Sequence, residues 1–161
     1  GCTHHCKGCF NPETWDFAYG KPYTQEVEDE IVKSLDNDFI NGLTLLGGEP
    51  MEPANQKTLL PLVKRVKELY PNKNIWCYSG YLLDSELLSP SRACAPWTRE
   101  FLSCIDILVD GEFKEELKDI TLRFKGSSNQ RVIDVQKSLK EGKVILSPLN
   151  EKKNKSNIYN N

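Results

Sequence analysis

The chain has 161 residues, a formal net charge of −2 and a sequence pI of about 5.8. One domain's worth of chain, long enough to bury a core without staples, excludes both a multidomain machine and a mini-protein that needs disulfides to fold. The acidic balance excludes a surface built to grip nucleic acid, for which a domain pI above about 9 is usual, and no run of about 20 apolar residues offers a membrane span.

Residues 1–23 read as irregular, punctuated by Gly1, Gly8, Pro12, Gly20 and Pro22 and interleaved with Phe10, Trp15, Phe17, Tyr19 and Tyr23. Thr24 is placed to cap a helix, with Glu26, Glu28, Asp29 and Glu30 in its early turns, where the dipole favours negative charge. Val27, Ile31, Leu35 and Phe39 recur at a spacing near four, which predicts a helix over 25–37. Leu43-Thr44-Leu45-Leu46 reads as a short buried strand stopped by Gly47-Gly48. A second helix is predicted over 55–69, with Leu59, Leu62, Val63, Val66 and Leu69 on one face and Pro61 imposing a kink or a late start. Ile75-Trp76-Cys77-Tyr78 is the next strand, ended by Ser79-Gly80. Residues 84–103 hold short helical pieces broken by Pro90 and Pro96. Ile105 to Val109 is a third strand, ended by Asp110-Gly111, and Arg131 to Val135 a fourth.

Strands alternating with helical segments predict βαβ units and a mostly parallel α/β sheet. Ligands of such sheets lie beyond the carboxyl ends of the strands, so the glycine turns and the N-terminal cysteines are expected on one rim. Residues 150–161, polar and aperiodic, read as a disordered tail after a domain spanning 1–149.

Cysteine carries the chemistry. Cys2, Cys6 and Cys9 crowd the first nine residues, while Cys77, Cys94 and Cys104 are scattered without ligand-like spacing and read as small core residues. Three cysteines that close in one loop point to a metal rather than to disulfides, and a reducing cytoplasm is the expected setting. A tetrahedral zinc site would take its fourth ligand from His4 or His5. An iron–sulfur cubane held by three thiolates would keep one iron open to a substrate. The spacing alone leaves both readings standing. His4 and His5 otherwise read as solvent-facing residues or as donors to sulfur, and the nearby aromatics as a cover for the metal or as loop packing.

Gly47-Gly48-Glu49-Pro50, one βα unit after the cysteine loop, resembles the turn that follows the second strand in the radical S-adenosylmethionine (SAM) superfamily. Cys2-Thr-His-His-Cys6-Lys-Gly-Cys9-Phe-Asn-Pro-Glu-Thr-Trp15 narrows the likeness. So do Trp76-Cys-Tyr-Ser-Gly-Tyr81, Ile107-Leu-Val-Asp-Gly-Glu-Phe113 and Leu122-Arg-Phe-Lys-Gly-Ser-Ser-Asn-Gln-Arg-Val-Ile-Asp134. Together these blocks resemble the activating proteins of anaerobic (class III) ribonucleoside-triphosphate reductases, over residues 1–145.

The resemblance implies a partial (β/α) barrel whose first strand would precede Cys2 and is missing from this chain, making it an N-terminally shortened copy. It implies a [4Fe–4S] cluster on Cys2, Cys6 and Cys9, with SAM chelating the fourth iron. One electron from a flavodoxin-like donor would cleave SAM, and the resulting 5′-deoxyadenosyl radical would take a hydrogen atom from a glycine of the reductase's large subunit. Gly47, Gly48 and Glu49 would hold the amino-acid end of SAM, since glycines admit backbone carbonyls close to a ligand, and Pro50 would stiffen that turn. Ser79 and Gly80 stand at the next strand end as further SAM contacts; Asp110, at the end after that, would contact SAM or the incoming glycine loop, with a plain strand-end turn its other reading. The polar loop 126–130, flanked by Arg123, Lys125 and Arg131, would bind an anionic part of SAM, dock the reductase, or be a solvated loop. An activase of another glycyl-radical enzyme, another small radical SAM enzyme such as a deazaguanine-type synthase, and a zinc-stabilised binding module are the alternatives.

Overall fold

The computed structural model describes residues 1–151. Most of the expected tail, 152–161, lies outside the described residues. The regular elements run α1 (Gln25–Ser34), β1 (Gly42–Leu45), α2 (Pro53–Leu69), β2 (Asn74–Tyr78), α3 (Thr98–Ser103), β3 (Ile107–Asp110), β4 (Arg131–Asp134) and α4 (Val135–Glu141). The strands lie side by side in the order β1-β2-β3-β4. The first three are parallel and β4 runs antiparallel to β3, so the mostly parallel α/β sheet is present.

Register explains the core. Leu45 stands opposite Cys77, Cys77 opposite Leu108, and Leu108 opposite Ile133. With a side-chain period of two, these residues and Ile75 point to one face and are buried there. Leu62, Val63 and Val66 of α2 join them in one core with Phe101 and Leu102 of α3. The opposite row is different: Thr44, Trp76 and Tyr78 remain partly or fully exposed and line a groove of about 290 Å³ together with Phe124. One face of the sheet is thus packed against helices and the other is left for the connecting segments.

Several boundaries differ from the sequence expectation. Helix α1 stops at Ser34 rather than 37, because Leu35 turns inward to close the helix; Phe39 therefore falls off the helical face and is 82% exposed. Helix α2 starts at Pro53, a residue suited to a first turn, and continues through Pro61 without a late start. Its Leu69 is exposed rather than on the packed face. Strand β3 begins at Ile107, and Ile105 is buried in the turn before it. Val135 opens α4 instead of closing β4. Residues 84–103 do hold short helical pieces, a π-helical turn (Leu83–Leu87) and α3. A fully buried Gln56 ties this region to α2: its Nε2 donates to the Met51 and Ala93 carbonyls at 2.6 and 2.9 Å, and Thr98 Oγ1 donates to its Oε1 at 2.6 Å. Cys77 and Cys104 are buried as expected, whereas Cys94 is exposed and not a core residue. Among the described residues no helix is long and apolar enough to cross a membrane.

Candidate functional site

At the carboxyl ends of β1, β2 and β3 the chain encloses a cavity of about 550 Å³, where ligands of α/β sheets are held. Its wall brings together Cys2, Cys6 and Cys9 with Gly47, Gly48 and Glu49 after β1, Ser79 and Gly80 after β2, and Gly111 after β3. The cysteine loop and the glycine turns do share one rim.

The loop is laced to the turn after β1. The Gly1 carbonyl accepts from the Glu49 amide at 2.8 Å and from Asn55 Nδ2 at 3.1 Å. Thr3 donates to the buried Glu52 carboxylate through its amide at 3.2 Å and also through its hydroxyl, and the Tyr81 hydroxyl donates to the same oxygen at 3.0 Å. The Cys2 amide donates to the Trp15 carbonyl at 3.2 Å, closing the loop on itself.

Electrostatics disfavour bare thiolates here. Burial raises the Cys2 thiol above its ordinary value, and the Glu49 and Glu52 charges add to that, while the His4 and His5 amides aimed at the sulfur oppose it. Cys6 is pushed up to about 11 by burial, then by the Glu112 charge, against a hydrogen bond from the Phe113 amide. Such thiols ionise when a cation binds them. All six cysteines are free. Among the described residues no three His, Cys, Asp or Glu side chains meet closely enough to hold a single metal ion. A cubane takes one thiolate per iron at separate corners, so its ligands need not meet at one point. Separate thiols on one cavity wall fit that group better than a tetrahedral zinc.

The turn after β1 also opens onto the cavity. Gly47 has φ +79°, and a Cβ built on it would meet nothing within 4 Å, so its backbone faces open space. Glu49 lines the cavity but is 2% exposed, because its carboxylate accepts from the Met51 amide at 2.8 Å and from the Gly80 amide at 2.7 Å. Ser79 is buried, and its Oγ accepts from the Tyr81 amide at 3.0 Å.

Two expected contacts stand apart from the wall. Pro50 does not line the cavity. Asp110 is fully buried beneath it: Arg131 donates to both carboxylate oxygens, and the Leu83 amide donates to one of them at 2.8 Å. Arg131 also pairs with Asp84 at 2.8 Å, so it is a brace under the rim and not an anion site.

His4 is not solvent-facing. Its side chain is only 10% exposed, with Nε2 3.2 Å from Glu49 Oε2, and its ring lies 4.4 Å from the Tyr81 ring. Burial pushes the imidazole pKa down, but the Glu49 carboxylate outweighs burial and the net shift is upward. His5 is exposed, with φ +51°, and its ring packs tilted against Trp15 at 4.7 Å. Of the early aromatics, Phe10 and Trp15 line the cavity, while the Phe17 ring packs over Gly1 and Tyr23 donates to Glu28 at 3.2 Å.

Sequence reasoning marks Lys125 and the 126–130 loop on the far wall and misses the rest. Phe113, Lys118, Ile120, Phe124, Lys125 and Gln130, all from the β3–β4 connection, complete the cavity. Lys125 Nζ donates to the Gln130 carbonyl at 3.1 Å and to Asn150 Oδ1 at 2.9 Å, which draws Asn150, in a 3-10 turn over Pro148–Asn150, onto the body of the fold.

Residues 1–133 match the family of 4Fe-4S single cluster domains. The chain is 46% identical over 132 residues to the anaerobic ribonucleoside-triphosphate reductase-activating protein of Vibrio cholerae, covering 81% of this chain and 80% of that protein. Its identity to the protein of that name from Haemophilus influenzae is 45% over 132 residues, with the same coverage. To the one from Escherichia coli it is 40% over 134 residues, 82% of each. No solved structure matches the chain significantly.

Proposed function

This chain belongs to the family of anaerobic ribonucleoside-triphosphate reductase-activating proteins, carried on a 4Fe-4S single cluster domain, and from that premise we propose that it is the radical SAM activase that installs the glycyl radical on such a reductase. The observation that carries the reading is the shared wall of Cys2, Cys6, Cys9 and the Gly47-Gly48-Glu49 turn. When bound, the cluster and SAM would supply cleavage of the sulfonium S–C5′ bond by one electron from an external donor, releasing methionine and an adenosyl fragment that becomes 5′-deoxyadenosine by taking the hydrogen atom from a glycine of the partner.

The chain's own residues do the rest. Cys2, Cys6 and Cys9 hold three irons and leave the fourth for SAM. Gly47 and Gly48 present backbone to the amino-acid end, with Pro50 stiffening the turn; Glu49 holds the turn's shape through Met51 and Gly80. Ser79 supports the next strand end. Phe10 and Ile120, 87% and 91% exposed at the mouth, offer an apolar rim to the large subunit's glycine loop and exclude water as it docks. We read the sheet, with one face free of helices, as part of a radical SAM (β/α) barrel, residues 1–149 as its domain, a flavodoxin-like protein as electron donor, and the cytoplasm as its setting.

Protein purified without oxygen and reconstituted with iron and sulfide should be brown and carry about four irons per chain. Cys2→Ala, Cys6→Ala and Cys9→Ala should each abolish 5′-deoxyadenosine formation, and retained formation in any one refutes the ligand assignment. A glycyl-radical doublet in the electron paramagnetic resonance (EPR) spectrum of the reductase, given SAM and a reductant, tests the partner. A doublet on another enzyme alone corrects it, and colourless protein holding one tight zinc ion ends the reading.

A further inference from the structure

We propose that His4 is a positioning residue, keying the cysteine loop into both glycine turns so that Cys2 is held in register with the Gly47-Gly48 backbone. The proposal rests on the SAM site assigned above and names the side chain that aligns its two halves. A cluster ligand on a loop needs a second set of contacts to fix its direction, and residues 1–4 supply it from backbone and side chain alike.

Gly1 lies against Gly48: a Cβ built at 48 would stand 2.9 Å from the Gly1 carbonyl oxygen. His4 lies against Gly80: a Cβ there would stand 2.5 Å from Nε2, 2.6 Å from Cδ2 and 2.8 Å from Cε1. The imidazole therefore rests on the Gly80 backbone, and a methyl group cannot share the space. Its edge meets Glu49, 3.2 Å from Nε2 to Oε2, and the Glu49 oxygens are held in turn by the Gly80 and Met51 amides. Tyr81 covers the ring at 4.4 Å. His4 thus touches the turn after β1 through Glu49 and the turn after β2 through Gly80, while its neighbours on the chain lead to Cys2 and Cys6. Gly80 has no left-handed backbone requirement, and the His4 ring is the first thing a side chain there would meet.

The test compares His4→Ala, His4→Gln, Gly80→Ala and the double variant His4→Ala/Gly80→Ala with the wild type, all reconstituted as holoenzyme. Iron content, the SAM dissociation constant read from the SAM-induced change in the reduced cluster's EPR signal, and 5′-deoxyadenosine released per glycyl radical are measured. His4→Ala should keep its iron, weaken SAM about tenfold or more, and release more deoxyadenosine per radical. His4→Gln, whose amide can reach Glu49, should restore most of both. Gly80→Ala should reproduce the His4→Ala defect, and the double variant should be no worse than His4→Ala, because the clash has gone with the ring.

In iron-free chain, His4→Ala should speed hydrogen exchange of the Gly80 amide about tenfold without exposing the sheet. This arm reads the placement of His4 whether or not the wild type cleaves SAM, so failure of the proposal is separable from failure of the activase reading. Wild-type SAM affinity and coupling in His4→Ala would overturn the proposal. So would defects that multiply in the double variant, which would make Gly80 a direct ligand contact, or loss of iron in both His4 variants, which would make His4 a holder of the cluster itself.

Discussion

Asp110 lies fully buried with the Arg131 guanidinium across both its oxygens and the Leu83 amide on one. Removing the carboxylate strands a guanidinium whose side chain is 28% exposed and an amide with no partner. Breaking a buried pair from one side costs about 3–5 kcal/mol, and Asp84 and partial solvent soften that at Arg131. Asp110→Ala should therefore lower the urea unfolding free energy by about 2–3 kcal/mol, and the SAM affinity of the folded holoenzyme should stay within about twofold of wild type. Full stability with lost SAM binding would return Asp110 to the ligand site. Its position at the end of a strand was visible in the sequence. The Arg131 that consumes it was not, because that partner arrives from an antiparallel strand 21 residues away.

At the scale of elements, α4 shows what a local reading can overlook. Arg131 to Val135 looked like one apolar strand, yet Asp134 ends β4 and caps α4, its side chain accepting from the Lys137 amide at 3.0 Å. Gly142 closes the helix at φ +67°, as a helix-terminating glycine does. Both signals were legible, but a β-branched run overrode them. Asp134→Ala should cost about 1 kcal/mol in chemical denaturation. Burial nudges the Asp134 pKa up, but the Lys137 amide and ammonium outweigh it and the net shift is downward. A carboxylate lowered in the folded state stabilises above its unfolded pKa, near 4, and that contribution is lost as pH falls through the folded value. The difference between Asp134→Ala and wild type should therefore be full at pH 7 and shrink below about pH 4. A gap independent of pH would show that the cap acts through shape alone.

For the whole molecule, the cavity joins two segments of different kinds to one sheet. Residues 1–23 are held chiefly at Gly1, Thr3 and His4, and the β3–β4 connection reaches the cysteine loop through the Phe113 amide and Cys6 and through Lys7 and Glu115 at 3.5 Å. Stripping iron from holoenzyme with a chelator should speed amide exchange in 1–23 and 112–130 and leave β1–β4 unchanged; uniform loss of protection would mean that the cluster is needed for the sheet itself. The two glycine turns and the cysteines could be read from the chain because their chemistry sits in short contiguous strings at predictable strand ends. The apolar part of the far wall could not, since Phe113, Ile120 and Phe124 share no spacing and meet only when β4 folds back on β3. The direction of His4 was equally hidden: spacing says where a loop residue lies along the chain, not which way it faces.

The fit of an imidazole on a bare backbone leaves a trace in ancestry. The ring at position 4 is the first thing a side chain at Gly80 would meet, so the two sites constrain each other and a change at one eases the other. Among descendants of a common gene the two positions should vary as a pair. A lineage that has lost the histidine should be the one that tolerates alanine or serine at the second turn, while one that keeps it should keep the glycine.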